Sequence, residues 1–253
     1  MTIWIMLLAA LAGYLSGSIS FARIIGRIVA PGENIERTAL EMKGSGTTFE
    51  LKAVSATSLA VRKGPKAGCA TSILDMLKAA IPALAFRLLF PQDYYHLIAA
   101  AAAVIGHNFP IYHRFKGGRG MSAVMGGLFV VDWLAIPVGI AASALIGLAI
   151  LRDVFFAYAG WVLLIIPWLW FRFGDPAYII YAVVVNAVYW IAVIPELKEY
   201  LEHKRRGDFA GQKLLGGREG QDGGILQSLA HVFIGQSKQQ PPSPEQDEPS
   251  ETG

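Results

Sequence analysis

The chain reads as an all-α integral membrane protein of seven transmembrane helices, the fourth short, with the N-terminus outside and the C-terminus cytoplasmic. Three observations predict this class. Of 253 residues, 54% are hydrophobic and only 16% charged, whereas soluble domains carry about 25% charged residues. The apolar residues fall in runs long enough to cross a bilayer, which takes about 20 residues. Lys and Arg alternate between rich and poor connections, as they do when the basic loops are cytoplasmic. The single cysteine, Cys69, excludes a disulfide framework and a cysteine-based metal site.

The first run, Ile3 to Val29, lacks a basic leader and a clean small-residue cleavage site, so it is a retained span. The next are Ala67 to Phe90, Tyr94 to Tyr112, a short Met121 to Val131, Leu134 to Leu151, Val154 to Phe173 and Ala177 to Ile194. The fourth is too short for an independent span and reads as a half-depth helix or as one element with the fifth. Between the first two spans lies a polar segment, Pro31 to Lys66, long for a plain connection. That segment carries Arg37, Lys43, Lys52, Arg62, Lys63 and Lys66, and the third connection carries Arg114, Lys116 and Arg119. Arg152 marks the fifth, and Lys198, Lys204, Arg205 and Arg206 follow the last span. The even connections are nearly bare, so the two richest loops face the cytoplasm together.

Three units follow: a membrane domain over 1–206, a glycine-rich linker with a short amphipathic helix over 207–235, and an acidic proline-rich tail over 236–253. In the linker, Ile225, Leu226, Leu229, Val232 and Phe233 recur at helical spacing. The tail composition predicts disorder.

Chemistry concentrates in the two basic loops. Gly106 to Ser122 reads "GHNFPIYHRFKGGRGMS", with Lys116-Gly117-Gly118-Arg119-Gly120 at its centre. Consecutive glycines let backbone N–H groups converge on an anion, and a guanidinium grips phosphate oxygens bidentately. An anchor explains the cations but gives no reason for three glycines beside His107 and Asn108. His107 is equally a packed histidine at a span end. The first loop adds Gly44-Ser45-Gly46-Thr47, where a hydroxyl on flexible backbone can donate to a phosphate or an oxyanion. Within the spans, Gly13 and Gly17 form a small-residue packing step. Asp75 and Lys78, three apart, are placed to pair across one turn.

These residues resemble the bacterial membrane acyltransferases that move an acyl group from acyl-phosphate to glycerol 3-phosphate (the PlsY type). The resemblance rests on Gly17-Ser18-Ile19-Ser20-Phe21, Gly44-Ser45-Gly46, Ala56-Thr57, Lys66-Ala67-Gly68 and Leu74-Asp75-Met76-Leu77-Lys78. The pattern G-H-x-F-P followed by F-K-G-G-K-G is present almost whole from Gly106 to Gly120. Thr47 and Ser58 replace asparagines of the family pattern, and about seven extra residues fall near Thr48 to Ser55. Arg62 matches a family arginine across a one-residue gap, and Arg119 replaces a lysine. In the third family motif, Leu197 stands where a histidine is expected and Tyr200 where an asparagine is, with His203 out of register.

The resemblance implies an enzyme of the inner membrane that makes lysophosphatidic acid for phospholipid synthesis. Its partners would be acyl-phosphate, glycerol 3-phosphate and membrane lipid, with no nucleic acid, cofactor or metal. It implies Ser45, Arg62, His107 and Arg119 as catalytic, with Gly44, Gly46, Thr47, Asn108, Lys116, Gly117, Gly118 and Gly120 binding substrate. An acyl-phosphate is a mixed anhydride with a good leaving group, so the protein has to hold two phosphates and aim a hydroxyl. The family is thought to use the substrate's own phosphate as base. Rival readings are transfer to another acceptor, a non-catalytic lipid-binding relative, and an anion transporter. Cations clustered in loops and not along the spans speak against transport.

Overall fold

The computed structural model describes residues 1–29, 31, 38–41, 48–51 and 55–206. The linker and tail expected over 207–253 lie outside these, as do Gly44, Ser45, Gly46 and Thr47. Helices form a bundle whose loops gather at two ends. Among the described residues, three helical stretches are long and apolar enough to cross a membrane: Ile3–Val29, Pro65–Leu89 and Pro176–Arg206. Met121–Val131, Ala135–Leu151 and Trp161–Phe173 are shorter apolar helices. Trp4, Leu88, Ile150, Phe171 and Ile180 point outward with 65% to 83% of their surface exposed. A water-facing surface does not carry so much apolar area.

The first apolar run is two helices, α1 (Ile3–Gly17) and α2 (Phe21–Val29). The break has a cause in side-chain bonding. Ser18 donates its hydroxyl to the Tyr14 carbonyl at 2.8 Å, and the Ile19 carbonyl accepts from the Lys78 ammonium at 2.5 Å. Beyond the break α2 is amphipathic, burying Ala22 and Gly26 and exposing Ile24, Arg27 and Ile28.

The expected loop before the second span holds structure of its own. Strands β1 (Thr38–Glu41) and β2 (Thr48–Leu51) pair antiparallel, Thr38 opposite Leu51 and Glu41 opposite Thr48. The all-α expectation is corrected by this hairpin, whose β2 takes up part of the extra residues. The next element, α3 (Ala56–Lys63), is capped by Ser55, whose side chain accepts from the Ser58 N–H in a reciprocal capping box.

α4 (Pro65–Leu89) then runs back through the bundle, and α5 (Tyr95–Asn108) returns. α1 lies against α5 backbone to backbone. A Cβ on Gly13 would sit 2.2 Å from the Ala99 carbonyl oxygen, and one on Gly17 would sit 2.1 Å from that of Ala103. The small-residue step is a packing device. α5 ends four residues earlier than the expected span, because Phe109 and Pro110 lead into a single 3-10 turn, Ile111–His113.

α6 (Met121–Val131) and α7 (Ala135–Leu145) are separate helices, parted where Asp132 adopts an extended backbone. Its carboxylate accepts from the Trp168 indole at 2.9 Å and from the Leu134 N–H at 3.3 Å. α7 continues as a π-helical stretch, Ile146–Leu151. The expected sixth span divides at Gly160 into α8 (Val154–Ala159) and α9 (Trp161–Phe173). The last helix, α10 (Pro176–Arg206), extends twelve residues past the expected Ile194 and carries Pro195 within it. The core is buried between these helices, with Val104, Val124, Leu128, Val162, Ile165 and Val185 at its centre.

Candidate active site

One end of the bundle brings together the break between α1 and α2, the end of α5, the glycine-rich loop, the start of α3 and the far part of α10. The loop is fixed to the first span at two points. Tyr14 donates its hydroxyl to the Phe109 carbonyl at 3.0 Å, and the Ile111 N–H reaches the Ser18 hydroxyl at 3.4 Å. A Cβ on Gly106 would lie 2.2 Å from the Tyr14 carbonyl oxygen.

The three glycines of the loop have a packing reason that the sequence did not disclose. The loop folds back over His107 and Asn108, and the Gly118 N–H donates to the His107 carbonyl at 3.2 Å. A Cβ on Gly117 would stand 2.2 Å from that carbonyl oxygen, and one on Gly118 would stand 2.3 Å from Nε2 of His107. Gly120, at φ +87°, would place a Cβ 2.3 Å from Oδ1 of Asn108. Any side chain there collides. The glycines thus bring the backbone of the cationic loop onto the His–Asn pair.

His107 is buried between two groups. Its Nδ1 lies 3.7 Å from Oδ1 of Asp75, and its Nε2 faces Gly118. Asp75 pairs with Lys78 at 2.7 Å, and both are buried. Ser16 donates to the Lys78 carbonyl at 2.7 Å, so α4 is joined to both sides of the break in the first run. Asn108 donates to the Val188 carbonyl at 3.1 Å, which ties the loop to α10. Among the described residues, Nδ1 of His107 and Oδ1 of Asn108 have no hydrogen-bond partner.

Arg119 is buried, with 9% of its surface exposed. Its Nη1 donates to Oε2 of Glu196 at 2.9 Å and its Nη2 to the Ser55 hydroxyl at 3.4 Å. Burial opposes the charge, but Tyr158, Glu196 and Tyr189 around it hold the guanidinium above the ordinary arginine value. Lys116 behaves differently and is exposed, as are Arg114 and Phe115. Those last two have φ of 52° and 60°, and the Phe115 N–H bonds the Pro110 carbonyl at 3.0 Å. His113 is lowered by burial and by Arg23, Arg27 and Lys78. α2 therefore lends its arginines to the same electropositive end.

The sequence-derived candidates thus divide. His107, Asn108, Gly117, Gly118, Arg119 and Gly120 form one contiguous cluster. Arg62 sits half-buried in the last turn of α3, the helix whose Ser55 cap bonds Arg119. Gly44, Ser45, Gly46 and Thr47 fall between β1 and β2, outside the described residues. Glu196 and Ser55 were missed. Glu196 stands next to Leu197 in the altered third motif, and no local signal in the sequence marked it as the acid that meets Arg119. Tyr200, where the family has an asparagine, stacks on Phe155 with ring centroids 5.0 Å apart. It also hydrogen-bonds Asp153.

Comparison with known proteins defines the class first. The fold matches the crystal structure of PlsY (YgiH), an integral membrane glycerol 3-phosphate acyltransferase, in its glycerol 3-phosphate form. The TM-score is 0.64 at 24% identity, covering 80% of this chain and 93% of that one. Its lysophosphatidic acid form matches with a TM-score of 0.62. The family model for glycerol-3-phosphate acyltransferase matches residues 7–203, and the chain belongs to that family. Two relatives named glycerol-3-phosphate acyltransferase come from Dinoroseobacter shibae and Rhodospirillum rubrum. The first is 37% identical over 139 residues, covering 54% of this chain and 60% of the relative. The second is 38% identical over 143 residues, covering 53% and 59%. The chain spans about 60% of the length of these relatives.

Proposed function

We propose that this chain transfers a fatty acyl group from acyl-phosphate to glycerol 3-phosphate, giving lysophosphatidic acid and inorganic phosphate. The observation that carries the reading is a family match running through both cationic loops, 7–203. The hydroxyl oxygen of glycerol 3-phosphate bonds to the acyl carbonyl carbon, the bond from that carbon to the phosphate oxygen breaks, and the departing phosphate takes the hydroxyl proton. Both substrates carry a phosphate, and the acyl chain is lipid. A cationic end on an apolar bundle suits this pair.

In this reading Ser45 and Arg119 meet the donor or acceptor phosphate, His107 and Lys116 the carbonyl or phosphate, and Arg62 the second anion, with Gly44, Gly46 and Thr47 as further substrate-binding residues. His107 and Asn108 sit under Gly117, Gly118 and Gly120 and set the backbone toward the carbonyl or phosphate. The chain makes seven crossings of a bacterial inner membrane, N-terminus outside, with both loops cytoplasmic. The membrane unit over 1–206 carries the activity, and 207–235 and 236–253 are accessory.

The test is incubation of the purified protein in detergent with acyl-phosphate and labelled glycerol 3-phosphate. Labelled lysophosphatidic acid and inorganic phosphate should appear in equal amounts. An acyl thioester, which offers no donor phosphate, should give none. Absence of product with acyl-phosphate overturns the reading. A different acceptor for the same donor is favoured by Leu197 and by Tyr200, which is committed to Asp153 and Phe155. Release of phosphate from acyl-phosphate only when another polyol phosphate or alcohol is supplied would select that alternative.

A further inference from the structure

The Arg119–Glu196 pair joins residues 77 positions apart. It lies where the glycine-rich loop, α3 and α10 meet. Three features separate it from an ordinary surface ion pair. Both side chains are nearly sealed from solvent, at 11% and 8% exposed. The guanidinium fork is shared, one nitrogen on Glu196 and another on Ser55. A lysine has a single point of charge and no fork, so an arginine here suits a site where the cation serves two elements at once. Lastly, Glu196 follows Pro195 within α10. Proline lacks the N–H that would bond the carbonyl four residues back, which loosens a helix at that point.

An arginine placed to meet phosphate, yet buried without an anion, would be costly in the empty protein. We infer that Glu196 is a resident counter-anion for Arg119, occupying the guanidinium until substrate phosphate displaces it, and that it thereby sets the phosphate affinity of the site. The inference rests on the proposed contact between Arg119 and substrate phosphate. The carboxylate and a phosphate oxygen present the same chemistry to Nη1, and two like-charged groups on one guanidinium repel each other. The pair keeps Arg119 charged and oriented in the empty site and weakens the hold on phosphate. A weaker hold favours release of the inorganic phosphate product.

The sign of the effect distinguishes this role from a structural one. Glu196→Gln keeps shape and a hydrogen bond to Arg119 but removes the competing charge. Binding of inorganic phosphate to the full-length protein in detergent, followed by calorimetry, should tighten by at least about tenfold. KM for acyl-phosphate should fall, and kcat should fall with it as phosphate leaves more slowly. In an Arg119→Met background the same Glu196→Gln change should leave phosphate binding unaltered. If Glu196→Gln does not accumulate folded, Glu196→Asp carries the test, because its shorter reach should also tighten phosphate binding, by less. Unchanged or weaker phosphate binding in a folded variant overturns the inference. Phosphate binding needs no acyl transfer, so tightening in a chain that makes no lysophosphatidic acid would sustain it while the proposed activity fell.

Discussion

Gly118 lies against His107 so closely that a Cβ would stand 2.3 Å from Nε2. The relationship makes the loop and the histidine one object. Gly118→Ala should therefore displace the loop, destabilise the protein by about 1–3 kcal/mol, and remove most turnover. Gly174, at φ +62° with nothing near its Cβ position, separates collision from backbone strain: Gly174→Ala should lower thermal stability in detergent but keep activity per folded molecule. Equal activity in the two variants would show that the contact at His107 is immaterial.

Arg119 and Arg114 stand five residues apart and should behave oppositely. Arg119→Ala removes a charge-assisted contact worth about 1.5–3 kcal/mol, roughly ten- to more than hundredfold in turnover. It also strands Glu196, so the melting temperature should drop. Arg119→Lys should retain more activity, since charge survives without the fork. Arg114→Ala removes an exposed cation and should stay within about twofold of the parent. Parental turnover in Arg119→Ala would reduce the loop to a basic anchor.

Lys78 is the hub between the first and second apolar runs. Lys78→Met leaves the Asp75 carboxylate buried without its partner and should cost about 3–5 kcal/mol. Asp75→Leu combined with Lys78→Met should recover most of that loss, short of the bond to the Ile19 carbonyl. Thermal melts of the two proteins decide it. A double variant no better than the single would mean the pair is not the main source of stability.

Asp153 caps α8, accepting from the Phe156 N–H at 2.9 Å, and pairs with Lys204 of α10 at 2.5 Å. Burial pushes its carboxyl up, but the bonds from Lys204 and the Phe156 N–H outweigh that and hold it below the ordinary 3.8. A carboxyl lowered by folding stabilises the fold fully above its unfolded pKa, and that contribution is lost as pH falls through the folded value. Asp153→Asn should therefore melt earlier than the parent near neutral pH, with the gap closing as pH drops below about 4. A gap that stays constant across that range would remove the titration from the explanation.

Topology can be read with a single thiol. Cys69 is exposed near the start of α4, so a cysteine-free background is needed before new sites are introduced. Cysteines placed at Arg114 and Lys63 should react with an impermeant maleimide only in opened cells, and one at Thr2 in intact cells. Labelling of both loops from outside would reverse the arrangement.

Much of the site was legible because its motif residues are close in sequence. His107, Asn108 and the glycine-rich loop sit within one short stretch, and their clustering follows from a turn after α5. What stayed hidden was long-range or held by side chains. Glu196 lies among several charged residues near the end of α10, and nothing local marks it as the one turned inward. The break at Ser18 to Ser20 was not read from the sequence, because a serine bonds to the preceding turn inside continuous helices as well as at an interruption. The β1–β2 hairpin escaped because its strands are only 4 residues each and set in a polar segment. The division at Gly160 escaped for the opposite reason, with apolar residues on both sides.

The close contact of α1 with α5 has a bearing on how the chain is made. Gly13 and Gly17 meet Ala99 and Ala103 through backbone, so no longer side chain can stand in for the missing partner. The ribosome releases the first helix some 86 residues before its mate, a delay on the order of ten seconds. During that interval the groove along α1 can be filled only by lipid or by the insertion machinery. α1 is thus completed only after α4 and α5 have followed it, and substitutions at Gly13 or Gly17 should show first as failed biogenesis.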